Sequence, residues 1–452
     1  MRQGLDSLGM KKTVAFYTLG CRVNQYETQA LREKMAGLGF LPAADGEPAD
    51  VYIINTCAVT AVSDRKSRQL IRRARRENPD GIVAVIGCYA QTRPEEATAM
   101  PQADIVLGSG DKSRLPELIA GYAAGRGRIA EVSSFEASAG YDSLGAVTSM
   151  ESRTRAYIKI EDGCDRFCAF CVIPYARGPV RSRPAGEIVG EAERLLARGH
   201  KELVLTGINL ALYGSERTGG GAYGLHDVVG QIDRLGGRFR IRLGSLEPTV
   251  INEDYIKRLL VYERLCPSMH LSLQSGSTRI LKEMGRSYTH DGYMGLVRLL
   301  RAHDAGYGLS TDIIVGFPGE DDGDFGESLA MVKEAGFLHT HVFPYSKREG
   351  TRAAAMGGQI PAGAKSERSR RLIAEAEAAS WAFIDSEIGR ARTVLVERRD
   401  QAAGISEGLS ENNIRVFFQG CEVPEGDFAE VRICARAEGG ALGELCPGQG
   451  PG

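Results

Sequence analysis

With 452 residues, 43% hydrophobic and 25% charged, the chain can bury several cores, and at about 150 residues per domain it divides into two to four. Fifty-eight acidic against 56 basic residues leave a net charge of -2, so no general affinity for polyanions follows from the total and any nucleic-acid surface must be local. No apolar run approaches the about 18 residues of a membrane span and the start MRQGLDSLGMKK lacks an apolar secretory core; a cytoplasmic chain without membrane contact is expected, whose ten cysteines point to metal binding or catalysis rather than disulfides.

Met10, followed by two lysines, reads as an alternative start, so residues 1–9 are expected to add no structure. From Lys11 to about Tyr122 short β-branched runs (TVAFYTL, VYIIN, IVAVIG, DIVLG) alternate with amphipathic segments. That alternation predicts a doubly wound α/β domain over residues 10–125. Residues 126–152 collect Gly, Ala and Ser without periodicity and read as a linker. From Arg155 the alternation resumes with AYIKI, ELVLTG, FRIRLGS, MHLSLQ, LSTDIIVGF and THVFPY. Six strand-helix units predict an open, partial (β/α)6 barrel over 153–380, with its chemistry beyond the C-terminal ends of the strands. A polar, alanine-rich helix follows over about Lys365 to Ile388, then TVLVE, IRVFF and FAEVRICAR with glycine-rich turns, which predict a small all-β module over 381–440. The Gly-rich tail, residues 441–452, is expected to be disordered.

The sharpest local feature is CDRFCAFC, which sets Cys164, Cys168 and Cys171 in a C-x3-C-x2-C loop just after the first strand of the second domain. Structural zinc wants four ligands, and no histidine or fourth cysteine lies within short reach. An iron-sulfur cube held by three thiolates keeps one iron open to a substrate or cofactor, so a cluster suits the motif better than zinc. Three more cysteines, Cys21, Cys57 and Cys88, each follow a strand of the first domain. In a parallel sheet the C-terminal strand ends lie along one edge, so residues more than 30 apart can meet there and form a second three-cysteine site. Singly, each would read as a small buried hydrophobe; Cys266, Cys421, Cys434 and Cys446 share no register and are taken as structural or incidental.

The C-x3-C-x2-C spacing with Phe170 before the last cysteine resembles the signature of radical S-adenosylmethionine enzymes. Their open iron is chelated by S-adenosylmethionine, which the cluster cleaves to methionine and a 5'-deoxyadenosyl radical. The further stretches LGCRVNQYET, INTCAVT, GCYAQ, DGCDRFCAFCVIPYARGPVRSR, LTGIN, LSLQSGS and IIVGFPGE resemble the methylthiotransferases across nearly residues 11 to 435. Within them LGCRVNQYET and CVIPYARGPVRSR are most similar to the branch acting on N6-threonylcarbamoyladenosine at position 37 of tRNA. Arg22 and Ile86 stand where lysine and threonine are common in that family.

The resemblance implies two [4Fe-4S] clusters and S-adenosyl-L-methionine as cofactors. Cys164, Cys168 and Cys171 would hold the radical-generating cluster, and Cys21, Cys57 and Cys88 the auxiliary cluster whose open iron carries sulfur. The product implied is the 2-methylthio derivative of the threonylcarbamoyl base. Tied to the same resemblance are the tRNA anticodon loop as partner, an electron donor such as flavodoxin or ferredoxin, and a sulfur donor. Gly207, Gln274 and Gly316, at or near predicted strand ends, are candidate S-adenosylmethionine contacts, although a glycine at a βα turn also serves backbone geometry. The terminal module is similar to a TRAM domain, a small RNA-binding β-barrel. The alternatives are isopentenyladenosine-37 or a ribosomal-protein aspartate as substrate, a non-catalytic RNA-binding iron-sulfur sensor, and a zinc-binding RNA module.

For RNA contacts, DRKSRQLIRRARRE concentrates Arg65, Lys66, Arg68, Arg72, Arg73, Arg75 and Arg76 within twelve residues of one helix-like segment. Beside a cluster site, phosphate binding is the favoured reading over a merely solvated face. Arg177, Arg181 and Arg183 extend the cysteine loop in the same sense.

Overall fold

The apolar runs of the first 130 residues become parallel strands, buried on both faces at the central VYIIN and IVAVIG runs. In the computed structural model, which describes residues 12–44, 46–123, 125, 127–135, 140–150, 154–216 and 223–446, they are β1 (Thr13–Thr18), β2 (Leu41–Pro42), β3 (Val51–Thr56), β4 (Ile82–Gly87), β5 (Ile105–Leu107) and β6 (Ile129–Glu131). The sheet order is β2-β1-β3-β4-β5-β6, all parallel. All six residues of β3, its central strand, are buried, and Tyr52, Ile54, Val83 and Val85 pack against Ile71 and Ala74 of the helix Ala61–Glu77. β6 falls inside the segment expected to be a linker. Its short run IAE pairs in parallel with β5, a pairing that local composition does not announce. Residues 1–9 lie outside the described residues.

Two compact units divide the chain. The first holds residues 1–148, 161–187 and 346–354, the second 149–160, 188–345 and 355–452. The loop with Cys164, Cys168 and Cys171, expected to open the barrel domain, therefore groups with the first sheet. Its base is a two-stranded antiparallel ribbon, Glu161–Asp162 with Arg181–Ser182.

In the second unit β7 (Arg155–Lys159) pairs in parallel with the strand Glu202–Thr206, which pairs with Arg240–Leu243. A second parallel sheet runs Ser245–Leu246, Ser268–Leu271, Gly308–Val315 and His339–Pro344. The six expected runs are thus all strands, in two sheets rather than a closed ring. Behind them the helix Ala362–Ser386 leads into a closed five-stranded barrel, Ala391–Asp400, Ile405–Ser410, Arg415–Gln419, Phe428–Ala437 and Gly440–Leu445. The last strand overturns the expectation of a disordered tail up to Leu445. Gly440–Leu445 pairs antiparallel with Phe428–Ala437 and parallel with Arg415–Gln419; residues 447–452 lie outside the described residues.

The terminal barrel is not a detachable module of this unit. Glu202, fully buried, lies between Arg240 and Arg242 (2.6 and 2.9 Å), and those arginines also donate to the backbone carbonyls of Leu409 and Ser410 (2.8 and 3.0 Å). The two guanidinium groups hold the Glu202 carboxyl far below the usual carboxylate range, against the opposing cost of burial. Removing one partner of such a buried group leaves an uncompensated charge. Glu202→Gln is expected to destabilise the protein by about 3 kcal/mol, read as a lower denaturant midpoint; an unchanged midpoint would show that the arginines find other partners.

Candidate iron-sulfur site

Cys21, Cys57 and Cys88 follow β1, β3 and β4, three adjacent strands, so their thiols meet at one sheet edge. Cys21 caps the helix Arg22–Gly37, and Cys88 opens the short helix Cys88–Thr92. Glycine makes the approach possible. Gly20 has φ +102, and a Cβ there would lie 3.0 Å from the Cys57 Cβ and 3.1 Å from its Sγ. Gly87, at φ +94, leaves 2.7 Å between its would-be Cβ and Asn55 Oδ1, a conformation that other residues adopt only at a cost.

Cys21 and Cys57 lie close enough to neighbouring cysteines for their charge to be felt. The Cys57 thiol is pushed up to about 11, first by burial and then by the neighbouring Cys88 and Cys21. Cys21 has exposed surface, yet its sulfur is hemmed in closely enough for burial to raise it, while Arg177 pulls it down.

The second trio is set by the loop on the ribbon. Gly163, at φ +90, passes so close to the Pro179 carbonyl that a Cβ would overlap it. The Cys164 amide donates to the Gly178 carbonyl (3.0 Å) and that of Cys171 to the Cys168 carbonyl (2.9 Å). Phe167 sits between them at φ 45, a left-handed conformation unusual for a bulky residue, and its exposed ring meets Tyr175 edge-on at 5.8 Å. Burial drives the Cys164 thiol up to about 12, with Cys171 and Cys168 adding to the shift. The trios share a seam within this unit: Cys88 and Ala58 pack with Val172 and Ala176, on and beside the short helix Ile173–Arg177 that follows Cys171.

Both donor sets fit iron-sulfur cubes better than single ions. Among the described residues, one group of three or more histidine, cysteine or carboxylate side chains has all its ligand atoms within 4.8 Å of one another, and it is neither cysteine trio. A single tetrahedral ion needs thiolates about 4 Å apart, whereas a cube spreads its ligands over separate irons.

The basic residues divide. On the helix Ala61–Glu77, started by Thr60 accepting from the Ser63 amide (3.2 Å), Arg65, Lys66, Arg72, Arg73 and Arg76 are exposed. Arg73 pairs with Glu77 (2.6 Å). Arg68 and Arg75 are half-buried: Arg68 lies over the Tyr89 ring, and Arg75 grips Asp104 and the carbonyls of Pro79 and Gly81. Arg177, Arg181 and Arg183, expected to meet RNA, are 0%, 4% and 2% exposed. Arg177 donates to Glu27 (2.5 Å), Asp162 (3.3 Å) and Asn24. Arg181 donates to the Arg177 carbonyl (2.9 Å), and Arg183 to Glu187 and the Tyr26 hydroxyl (both 3.2 Å). Their guanidinium groups are buried and turned onto protein acceptors, so phosphate contact is replaced by a structural part.

Sequence reasoning missed Asn24, Glu27 and Lys112, which with Arg177 form a buried polar group beside the Cys21 and Cys88 thiols. Lys112 is buried against Glu27 and Asn55. Its pKa is lowered, burial outweighing the pull of Glu27. Asn24 stands three residues beyond Cys21 and Glu27 three beyond Asn24, each step one between neighbours on a helix; for Lys112 the sequence carries no signal.

Of the candidate cofactor contacts in the second unit, Gly207 directly follows the strand Glu202–Thr206. Gln274 is held at φ 72, its amide on the Asp312 carbonyl (2.8 Å) and its carbonyl accepting from Ile314 (2.9 Å). Gly316, at φ +72, follows Gly308–Val315 and donates its amide to Glu320 (2.6 Å).

Residues 13–108 match the family model described as Uncharacterized protein family UPF0004, and residues 158–332 match the Radical SAM superfamily. Among curated proteins the chain is 39% identical over 425 residues to the threonylcarbamoyladenosine tRNA methylthiotransferase MtaB of Bacillus subtilis, covering 93% of each chain. It is 37% identical to the protein of that name from Thermotoga maritima, over 95% of this chain and 96% of the relative. It is also 35% identical to the tRNA-2-methylthio-N(6)-dimethylallyladenosine synthase of Novosphingobium aromaticivorans, over 98% and 100%. In fold it is similar to the radical S-adenosylmethionine methyltransferase TsrM of Kitasatospora setae, with TM-score 0.55 and 16% identity over 76% of this chain and 77% of that one.

The raised thiols give a pH signature. With folded values of about 11 and 12 at Cys57 and Cys164, against 8.5 or so in an unfolded chain, the folded cluster-free protein holds those protons more tightly. Its stability is therefore full below about pH 8.5 and falls as pH rises through the window up to about 12. Melting temperatures of cluster-free protein should decline over that range, and less steeply in Cys57→Ala; parallel declines would place the titration elsewhere.

Proposed function

We propose that this chain, which belongs to the tRNA methylthiotransferases of the radical S-adenosylmethionine superfamily, methylthiolates carbon 2 of N6-threonylcarbamoyladenosine at position 37 of tRNA. The observation that carries the reading is the convergence of Cys21, Cys57 and Cys88 at one sheet edge, in the same unit as the Cys164, Cys168 and Cys171 loop. Two three-thiolate sites are what sulfur insertion requires: one to generate a radical, one to present sulfur. The relatives named for the threonylcarbamoyl nucleoside support that substrate, and the one named for the dimethylallyl nucleoside keeps N6-isopentenyladenosine as the second reading.

The two [4Fe-4S] clusters and S-adenosylmethionine supply, when bound, the one-electron chemistry and the sulfur that no acid-base group of the chain provides for a C–H bond without a useful pKa. The chain's own residues hold, shield and balance charge. Cys57, Cys88 and Cys168 are buried, which keeps reactive thiolates from solvent oxidants. Arg177 and Lys112 place cationic groups beside the Cys21 and Cys88 sulfurs, where they offset the negative charge that three thiolates bring. The exposed Arg65, Lys66, Arg72 and Arg76 present a basic face to RNA phosphates, and an electron donor and a sulfur donor complete the cycle.

Nucleoside analysis of tRNA from a strain lacking the gene tests the substrate. Loss of the 2-methylthio threonylcarbamoyl nucleoside supports it; persistence of that nucleoside with loss of the isopentenyl derivative moves the assignment to the second reading. In the purified enzyme Cys168→Ala should abolish 5'-deoxyadenosine formation, while Cys57→Ala should retain cleavage and lose sulfur insertion. Equal loss of both in Cys57→Ala would refute this division of labour. The double variant Arg72→Glu, Arg76→Glu should weaken tRNA binding and flatten its log-log salt slope by roughly 0.7 to 0.9 for each phosphate no longer neutralised; an unaltered slope would remove this helix from the RNA surface.

A further inference from the structure

We propose that His270, Asp312 and His341, residues other than the cluster cysteines, form a binding site for a first-row divalent cation of the zinc class. They lie on three adjacent parallel strands of the second unit, Ser268–Leu271, Gly308–Val315 and His339–Pro344. In the register His270 stands opposite Ser310 and Asp312 opposite His341. Since Ser310 and Asp312 are two apart, all four side chains project from one sheet face. It is the less covered face: Ser310 and Asp312 are half-buried while Thr311 and Ile313 between them are buried, and His341 is exposed.

One ligand atom from each of the three lies within 4.8 Å of the other two, a spacing that no other group of three or more such side chains reaches among the described residues. The imidazole rings are 6.0 Å apart, centre to centre. His270 Nε2 is 3.2 Å from an Asp312 carboxylate oxygen. Two donors each about 2.0 to 2.1 Å from one tetrahedral ion are about 3.3 Å apart, so this pair already spans a coordination edge. The other ring nitrogen, Nδ1, is 3.1 Å from the Ser310 hydroxyl, the outer hydrogen bond that orients metal-binding histidines. The short Nε2–carboxylate contact is filled either by the Nε2–H of a neutral imidazole or by a metal ion. The approach of a second imidazole favours the metal. Two imidazoles and one carboxylate suit zinc or ferrous iron rather than calcium or magnesium, and three protein ligands leave a position for an oxygen donor, water or a carboxylate.

The test uses anaerobically prepared enzyme with both clusters loaded, so that the six cluster cysteines do not compete. Equilibrium dialysis against zinc with elemental analysis should find one zinc per chain in the wild type that is lost, or held at least tenfold more weakly, in His341→Ala and in the isosteric Asp312→Asn. His341 is exposed, so its variant should melt as the wild type does, and Asp312→Asn keeps volume should that variant be unstable. X-ray absorption at the zinc edge should show only nitrogen and oxygen neighbours, with imidazole scattering. Equal uptake by the variants, sulfur in the zinc shell, or no uptake by the wild type would overturn the proposal, the last leaving an ordinary histidine-aspartate hydrogen bond.

Discussion

A guanidinium with no access to water needs acceptors for its terminal nitrogens, and the arrangement around Arg177 is what this demand imposes on the first unit. Its acceptors are Glu27 and Asn24, from the helix that Cys21 caps, and Asp162, two residues before Cys164. One side chain thus ties the helix of one thiol trio to the base of the loop carrying the other. Because breaking a buried charge pair is far more costly than forming one is favourable, the contact fixes geometry more than it adds stability. With Lys112 on Glu27, it also sets positive charge where three thiolates would gather negative charge.

The parallel sheet supplies the rest. Strand ends on one edge bring Cys21, Cys57 and Cys88 together from positions 36 and 31 residues apart, and glycines at 20, 87 and 163 allow the close backbone approaches that a Cβ would block. Burial then raises the thiols, so cluster loading must release protons held tightly by the cluster-free chain. Fold, charge and chemistry are linked at the same few residues.

How much of this the sequence disclosed follows from the range of each signal. The Cys164, Cys168 and Cys171 spacing is local and was readable directly; the other trio was readable because each cysteine follows a strand-like run. Arg177, Arg181 and Arg183 misled because the acceptors that bury Arg177, Glu27 and Asn24, are 150 and 153 residues away, and three closely spaced arginines look like a phosphate surface until their acceptors are known. The tail strand Gly440–Leu445 was hidden by its glycines. Gly440 and Gly443 lie against Arg415 and Val431 too closely for a side chain, so what reads as a flexible composition is the steric condition for closing the barrel. His270, Asp312 and His341 were invisible for a simpler reason: each is a single residue on a separate strand, and only the sheet register aligns them.

The central claim, that the first unit holds two independent cubes on two thiol trios, is tested most directly by Mössbauer spectroscopy of protein reconstituted with iron-57. Wild-type chains should carry about eight irons in cubane signals, and the triple variant Cys21→Ala, Cys57→Ala, Cys88→Ala should keep about four in one intact cluster. Wild-type protein that saturates at a single cubane, or a triple variant that still assembles two, would contradict the account.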